Sequence, residues 1–401
     1  MNTLTCNCMP RLDGASETEL GRLFPEPSST GPLLSLLQES GVEGFNLRSI
    51  VVSKDNIPVL LLPLFECRYD SSTFAKGWTK KTLKAAARLI PSIFHPRILG
   101  VGLLEGGWSE IGTDPQIDAG TFEAAWEMAL GALQILATER KSDVVVFYNF
   151  NHHSKLPVEV LNTFNRVTWL PCARMPINFN SLEEYFSRLS RAARKDLRRK
   201  MRVSNEVRVV RCRNISPYMD RIYKLYLDTV ERGPTAFGVH NRLFLEKICE
   251  RIPGAEYMLY FVKEELAAFN LLVVKQTVMA DKFFCMDYEL GRKYNLYVLS
   301  WLENLRTCME QKIPLYQAGQ GAEKIKAHMG ATFIPSLILF RHSWTMYDRF
   351  LFDHQAVIGK VLTYFGFRSK AAALGSGQSA DRSTLPSKVE TAEMEIHDQR
   401  N

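Results

Sequence analysis

The sequence predicts a mixed α/β protein in which helices pack on a mixed sheet. Strand-like and helix-like patterns alternate from residue 31 to residue 341, and such alternation favours this fold class. The chain has 401 residues, which is enough for two domains. Its content of 46% hydrophobic and 23% charged residues is typical of a globular protein. No uninterrupted apolar run reaches the ~20 residues that a membrane-spanning helix needs.

The composition also restricts location and metal content. The first residues lack the apolar core of a signal peptide, and the eight cysteines do not have the spacing of a zinc site. We therefore expect reduced thiols, no bound metal and a cytoplasmic protein. The polar composition predicts a disordered lead over residues 1–30 and a disordered tail over residues 368–401.

In the first half, leucines predict a short helix at residues 31–41, and a strand pair follows across Lys54–Asn56. A helical pattern at Lys76–Ile93 ends near Pro91. The later elements of this half are a strand at Arg97–Leu104, an amphipathic helix at Ala119–Arg140, a strand at Val144–Asn149, a helix at Pro157–Arg166 and a strand at Val167–Met175.

The second half centres on a predicted antiparallel meander. Three β-rich runs, at Glu256–Lys263, Leu266–Gln276 and Val278–Glu289, are separated by very short polar breaks, which is typical of hairpins. A helical pattern from Tyr294 to Met309 and a short strand at Ile313–Tyr316 follow. The other elements are helices at Ser181–Val203, Pro217–Glu231 and Arg242–Arg251, strands at Glu206–Cys212 and Ile334–Arg341, and a terminal helix at residues 351–367.

The junction between the third strand of the meander and its helix is the predicted chemical centre. The start of a helix exposes backbone N–H groups and a partial positive charge, so it suits a phosphate or another anion. Asp287 and Glu289 lie on one face of the strand end, and Tyr288 lies on the other. The two carboxylates are therefore candidate bases.

This order of elements resembles the GNAT acyltransferase superfamily, and in particular its FemAB-like branch. The resemblance to this branch depends on the Gly-containing turn Ala318–Gly321, which is followed by Glu323 and Lys326 and closes at Gly330. The resemblance covers residues 176–343 well and the first half in outline. It implies two tandem GNAT-like units, at residues 31–175 and 176–350, and transfer of an acyl group from acyl-CoA to an amine.

The resemblance also implies roles for individual residues. Lys326 would contact an anionic or carbonyl oxygen of the donor or acceptor, and Glu323 would orient it or accept a proton. The residues expected to bind the pyrophosphate of coenzyme A are Gly291, Arg292, Lys293, Tyr294 and Asn295. The residues expected to bind substrate are Arg232, Tyr288, Gly319, Gln320 and Gly321.

A basic segment stands out between the two halves. Residues Arg188–Arg213 carry a net charge of +9, whereas the whole chain carries +7, so the remainder sums to −2. This patch is open to four interpretations: a solvated helix face, contact with phosphates of the donor or acceptor, an aminoacyl-tRNA, or an anionic membrane surface.

Two further functions stay open at this stage. The first is an aminoacyl-tRNA-dependent peptidyl transferase of the FemAB type. The second is a non-catalytic GNAT-like scaffold that binds an anion, which the lack of the superfamily's spaced glycines at Gly291–Lys293 favours. For an enzyme, the expected acceptor is an amine of a small molecule, a sugar or other glycan, or a cell-envelope precursor.

Overall fold

The computed structural model describes residues 3–12, 16–69, 88, 92, 95–104, 107–152, 154–232, 238–346 and 348–349. The predicted helix at Lys76–Ile93 lies outside the described residues except for Arg88 and Ser92. The predicted terminal helix at residues 351–367 and tail at residues 368–401 also lie outside them. Among the described helices, none combines the length and the apolar character that crossing a bilayer requires.

Strands and helices alternate through both halves. The strands are β1 (Leu4–Met9), β2 (Phe45–Lys54), β3 (Ile57–Arg68), β4 (Arg97–Val101), β5 (Gly112–Thr113), β6 (Val144–Phe150), β7 (Asn165–Pro176), β8 (Val207–Cys212), β9 (Ala255–Val262), β10 (Glu265–Val274), β11 (Met279–Met286), β12 (Leu315–Gly319) and β13 (Thr332–His342). The helices are α1 (Glu17–Leu23), α2 (Thr30–Ser40), α3 (Ala119–Glu139), α4 (Val158–Thr163), α5 (Leu182–Arg188), α6 (Arg191–Lys200), α7 (Met219–Arg232), α8 (Arg242–Arg251), α9 (Tyr288–Lys293), α10 (Leu296–Glu310) and α11 (Glu323–His328).

All thirteen described strands belong to one sheet, in the order β1-β2-β3-β4-β6-β13-β7-β12-β11-β10-β9-β8, with β5 paired to β3. From one edge the order is β1-β2-β3-β4-β6, and from the other edge it is β8-β9-β10-β11-β12, so the two halves have the same arrangement of strands. Each half has one parallel pair, β4 with β6 and β11 with β12, and the other pairs are antiparallel. The topology is therefore that of two tandem units, in agreement with the predicted fold class.

The last strand of each unit crosses to the other. β13 lies between β6 and β7, and β7 lies between β13 and β12. Leu339 of β13 is fully buried in the core of the first unit, where Trp126 of α3 also packs. Because each unit needs a strand of the other to complete its sheet, we expect the two units to unfold together.

The predicted meander is confirmed as β9, β10 and β11, which pair antiparallel in sequence order. The amphipathic helix of the first half is confirmed as α3. Its buried residues follow the 3.6-residue period, and Asp118 caps its first turn by accepting a hydrogen bond from the backbone N–H of Thr121.

The predicted disordered lead is wrong for the part that the structure describes. β1 forms the edge of the sheet, where Leu4 pairs with Lys54. Ser16 and Glu19 form a capping box at the start of α1, whose Leu20 and Leu23 are buried. These elements depend on partners far along the chain, which the polar local composition does not reveal.

The predicted basic helix at Ser181–Val203 is broken into α5 and α6. Leu189 has extended backbone angles, and the hydroxyl of Ser190 accepts a hydrogen bond from the backbone N–H of Ala193. A serine competes well for such a cap even within a continuous apolar pattern. The charged segment therefore begins a new helix.

Substitution of Leu339 tests the strand exchange. We expect Leu339→Ala to lower the free energy of unfolding by about 2–5 kcal/mol, because it leaves a cavity in a fully buried site. Thermal unfolding should remain a single transition. Ile135→Ala on α3 is the control, since that side chain is 62% exposed and its loss should change stability by less than about 0.5 kcal/mol. Two transitions, only one of them shifted by Leu339→Ala, would show that the units unfold separately.

Candidate functional site

The parallel strands β11 and β12 separate soon after they meet. They pair only at Met279 with Tyr316 and at Ala280 with Gln317. On its other side, β12 stays paired with β7 from Leu315 to Gly319. In the first unit, by contrast, β4 and β6 pair at four successive positions. The gap between parallel strands is therefore a feature of the second unit.

A β-bulge in β11 lies at the head of this gap. Leu271 of β10 pairs with Phe283 and its neighbour Leu272 pairs with Asp281, so Lys282 is an extra residue without a partner in the ladder. Bulges disrupt the ladder locally and redirect side chains, and they are over-represented next to active sites.

A cavity of about 650 Å³ extends from the gap between β11 and β12 and is lined by residues of both units. We call it the apolar cavity, because its walls are mainly aromatic and aliphatic. The aromatic residues Phe65, Tyr148 and Trp169 come from the first unit, and Tyr226, Phe284 and Tyr297 come from the second. Asp281, Lys282 and the turn from Ala318 to Ala322 form its polar part.

Asp281 is held by a network of buried polar side chains. Its Oδ1 accepts a hydrogen bond from Asn270 Nδ2 at 2.7 Å, and its Oδ2 accepts one from the hydroxyl of Tyr316 at 2.9 Å. Asn304 Nδ2 donates to Asn270 Oδ1 and to the Tyr316 hydroxyl, both at 2.9 Å. Burial raises the pKa of Asp281, although Lys326 and these hydrogen bonds partly oppose the rise.

The geometry can be compared with known structures. The model aligns with L-PGS from Bacillus licheniformis over 84% of this chain and 96% of that chain, with a TM-score of 0.51 and 10% identity. The C-terminal domain (DUF2156) of a putative lysylphosphatidylglycerol synthetase from Agrobacterium fabrum aligns over 83% and 96%, with a TM-score of 0.51 and 9% identity. A tandem GNAT protein from the clavulanic acid biosynthesis pathway aligns over 85% and 98%, with a TM-score of 0.48 and 12% identity.

The chain has the GNAT fold in two tandem units. The fold predicted from the resemblance is thereby confirmed. No protein-family model and no curated protein sequence matches the chain. At identities near 10% the structural similarity concerns the fold, so any activity must be argued from the site itself.

Lys326 lines the apolar cavity and uses its ammonium to hold the turn from Ala318. Its side chain is 4% exposed, and Nζ donates to the carbonyl oxygens of Ala318 at 2.6 Å, Gly319 at 3.1 Å and Gln320 at 3.0 Å. A lysine ammonium has three donors, so all of them are used. Burial lowers the pKa of Lys326, and the carboxylate of Asp281 opposes this shift. The role of Lys326 is to fix the turn.

The residues of the predicted substrate turn also hold the fold together. Gly319 and Gly321 have φ of +68° and +75°, a conformation that favours glycine. Gln320 crosses to the first unit, where its Nε2 donates to Asn149 Oδ1 at 2.8 Å and to the Leu170 carbonyl at 2.6 Å. All three residues line the apolar cavity, so the turn shapes the site as well as joining the units.

Asp287 is a helix cap rather than a base. Its Oδ1 accepts hydrogen bonds from the backbone N–H groups of Glu289 and Leu290, and its Oδ2 lies 3.3 Å from Arg221. Burial alone would raise the pKa of Asp287, but these hydrogen bonds and the charge of Arg221 outweigh it and lower the pKa. Because a carboxylate already occupies the start of α9, a pyrophosphate would meet a negative charge there. Glu289 is exposed at this end.

The predicted pyrophosphate-binding residues do not form a cradle. Gly291 is packed so closely that a Cβ would lie 2.4 Å from Met286 Sδ. Tyr294 is buried in the core of the second unit, and Asn295 Nδ2 donates to the carbonyl of Lys200. Only Arg292 and Lys293 are exposed. Gly291 therefore allows α9 to pack closely against Met286 at the end of β11.

The other predicted residues lie outside the cavity that the described residues form. The guanidinium of Arg232 stacks 4.5 Å over the ring of Tyr288, and neither residue lines the cavity. Glu323 begins α11 and is also absent from the described lining. Within the described ranges, no cluster of His, Cys, Asp and Glu has the arrangement of a metal site.

The basic segment is exposed next to the cavity turn. α6 contains six Lys or Arg residues and one acid, Asp196. Burial opposes ionisation of Asp196, but hydrogen bonds from Lys200 and Arg199 outweigh it and lower its pKa to about 2. The same carboxylate lies 3.3 Å from His328 of α11. α6 is thus attached to the helix that closes the cavity turn, with most of its cationic side chains exposed.

Asp281 was missed by sequence reasoning, although it is the carboxylate that the cavity exposes. A charged pair, Asp281-Lys282, interrupts an otherwise apolar strand, and that interruption was the available signal. It did not show which face Asp281 takes, because the bulge at Lys282 changes the alternation of the strand.

Substitution of Lys326 tests its structural role. We expect Lys326→Met to lower the free energy of unfolding by at least about 2 kcal/mol, because it leaves one buried and two partly buried carbonyl groups without their donor. Lys324→Met, at an exposed position of the same helix, should change stability by less than about 0.5 kcal/mol. Equal stability of the two variants in urea unfolding would contradict this role.

Proposed function

We propose that this protein is an acyltransferase whose reaction centre is the gap between β11 and β12. The observation that carries the proposal is Asp281, a carboxylate with a raised pKa that lies at the bulge and faces a cavity between the units. The similarity of the fold to GNAT-like proteins supports it.

The chemistry is attack of an amine on an acyl ester or thioester. The amine nitrogen forms a bond to the carbonyl carbon while Asp281 accepts its proton. The negative oxygen of the tetrahedral intermediate is stabilised by a backbone N–H group, which the bulge at Lys282 removes from the hydrogen-bond ladder between β10 and β11. The bond from the carbon to the leaving oxygen or sulfur then breaks, and the leaving group takes up the proton. Holding both reactants in the cavity can itself supply about 7–11 kcal/mol of the barrier reduction.

Asp281 has the properties that this role requires. A carboxylate has about four acceptor positions, and Asn270 and Tyr316 occupy two at short distance, with Asn304 more distant at 3.5 Å. One position of the Asp281 carboxylate is left to receive the proton of the attacking amine. A raised pKa makes the carboxylate a stronger base near neutral pH. Asn270, Asn304 and Tyr316 act as positioning residues.

We propose an aminoacyl-tRNA, rather than acyl-CoA, as the donor. The pyrophosphate of coenzyme A was expected at Gly291–Asn295, where Gly291 and Tyr294 are buried and the turn that precedes them is capped by the carboxylate of Asp287. The exposed cations of α6 lie beside α11 at the cavity turn and suit a polyanion. The cytoplasmic location that such a donor requires stays a prediction. A lipophilic part of the acceptor would suit the aromatic walls of the apolar cavity.

Replacing Asp281 tests the reaction centre. Transfer of a radiolabelled acyl group from charged tRNA or acyl-CoA to a total extract of small molecules and lipids measures activity. We expect Asp281→Asn to lower the rate about 10²–10⁴-fold, the usual contribution of a general base. Asp287→Asn is the matched control on the same strand end, and it should retain activity because asparagine also caps helices.

The pH dependence gives a second readout. Asp281 acts as a base only when it is deprotonated, so the rate should rise with pH through a midpoint above about 4, the ordinary pKa of aspartate. Asp281→Asn should abolish that rise. A wild-type rate in this variant, at any pH, would rule out the proposed base.

Binding of tRNA tests the donor. We expect charged tRNA to be retained by the protein on nitrocellulose, with a log–log slope against salt of about −0.7 to −0.9 per phosphate contacted. The double change Arg198→Gln and Arg199→Gln should reduce retention and make that slope shallower. Arg292→Gln with Lys293→Gln is the control, because these exposed cations lie in the last turn of α9 and not on α6. Acyl-CoA consumption without any tRNA retention would favour the CoA donor instead.

A further inference from the structure

A second cavity of about 680 Å³ lies on the opposite face of β11 and β12. Ala280 and Gln317 line it, whereas Asp281 and Tyr316, their neighbours in sequence, belong to the network on the other face. Its walls include α1, α2 and the loop at Trp108, together with β11 and β12. We call it the cationic cavity.

The charges of its lining are mostly positive. The cations are Lys155, Arg174, Lys275 and Lys282, and the described lining has one carboxylate, Glu110. Glu110 accepts hydrogen bonds from the hydroxyls of Ser28 and Thr30, and Lys275 forms an ion pair at 2.7 Å with Glu26. Lys155 is exposed at the rim. Cationic side chains therefore outnumber carboxylates in the described lining of this concave site.

Arg174 and Trp108 provide the most specific feature. The guanidinium carbon of Arg174 lies 4.6 Å from the centre of the Trp108 ring, so the ring holds the guanidinium in place. Arg174 Nε and Trp108 Nε1 are both buried without a hydrogen-bond partner. Buried donors of this kind are nearly always paired in folded proteins, so two adjacent ones call for an acceptor that the described residues do not supply.

We propose that the cationic cavity binds an oxyanion of a small molecule, a phosphate or a carboxylate, with Arg174 as the principal contact. A guanidinium presents a planar fork of donors that matches both groups. The volume is within the range of small-molecule sites. Lys282 lines both cavities, so the anion lies beside the proposed reaction centre, but its binding does not depend on acyl transfer.

Isothermal titration of the full chain with inorganic pyrophosphate tests the site. We expect saturable binding to the wild type and an affinity at least about 10-fold weaker in Arg174→Gln, since hydrogen bonds to charged groups are the strong ones. Arg208→Gln is the matched control. Arg208 also stacks on an aromatic ring, 4.3 Å from the centre of Phe261, but it lies outside the cavity, and its loss should leave the affinity unchanged.

Lys155→Gln is the second variant, because this residue is exposed and its substitution does not threaten folding. It should also weaken pyrophosphate binding. Absence of binding to the wild type, or wild-type affinity in both Arg174→Gln and Lys155→Gln, would overturn the proposal. Loss of binding in the double change Arg198→Gln and Arg199→Gln, with Arg174→Gln unaffected, would place the anion on α6 and overturn it as well. No acyl donor is present in this titration, so its outcome is separate from that of the transfer assay.

Discussion

The separation of β11 from β12 is the constraint on which the site depends. Two backbone pairs hold the strands together, and the bulge at Lys282 and the turn after Ala318 then direct them apart. The buried ammonium of Lys326 keeps the turn in this shape by binding three successive carbonyl groups. A gap in a sheet normally leaves unpaired backbone groups, which are costly unless they meet water or a ligand. Here the gap opens into a cavity that can hold one.

The exchange of β7 and β13 places the first unit against this gap. Its own parallel strands, β4 and β6, stay paired, and the ring of Phe65 of β3 packs on Gly100 of β4. The first unit therefore has no open gap in the described residues, and it contributes a wall to the cavity of the second. Gln320 ties the turn to Asn149 across this seam, so the position of the wall is fixed by a hydrogen bond as well as by the sheet.

Much of the fold could be predicted from local pattern, whereas the site could not. The hairpins from β9 to β11 follow from short polar breaks between β-rich runs, and α3 follows from its apolar stripe. β1 could not be predicted, because its stability comes from a partner strand 40 to 50 residues away along the chain. The roles of Lys326 and Asp287 depend on which groups their side chains reach. The resemblance implied an oxygen contact for Lys326, and the position at a strand end suggested a base for Asp287. Asp281 acquires its position from a bulge, which has no local pattern in this sequence.

The most direct measurement is a crystal structure of the Asp281→Asn variant grown with an acyl donor, either an aminoacyl-adenosine analogue or a long-chain acyl-CoA. The account predicts electron density for the acyl group in the apolar cavity, with its carbonyl carbon beside residue 281 and its oxygen at the bulge. Density for the acyl group in the first unit, or at the start of α9 away from the cavity, would contradict it.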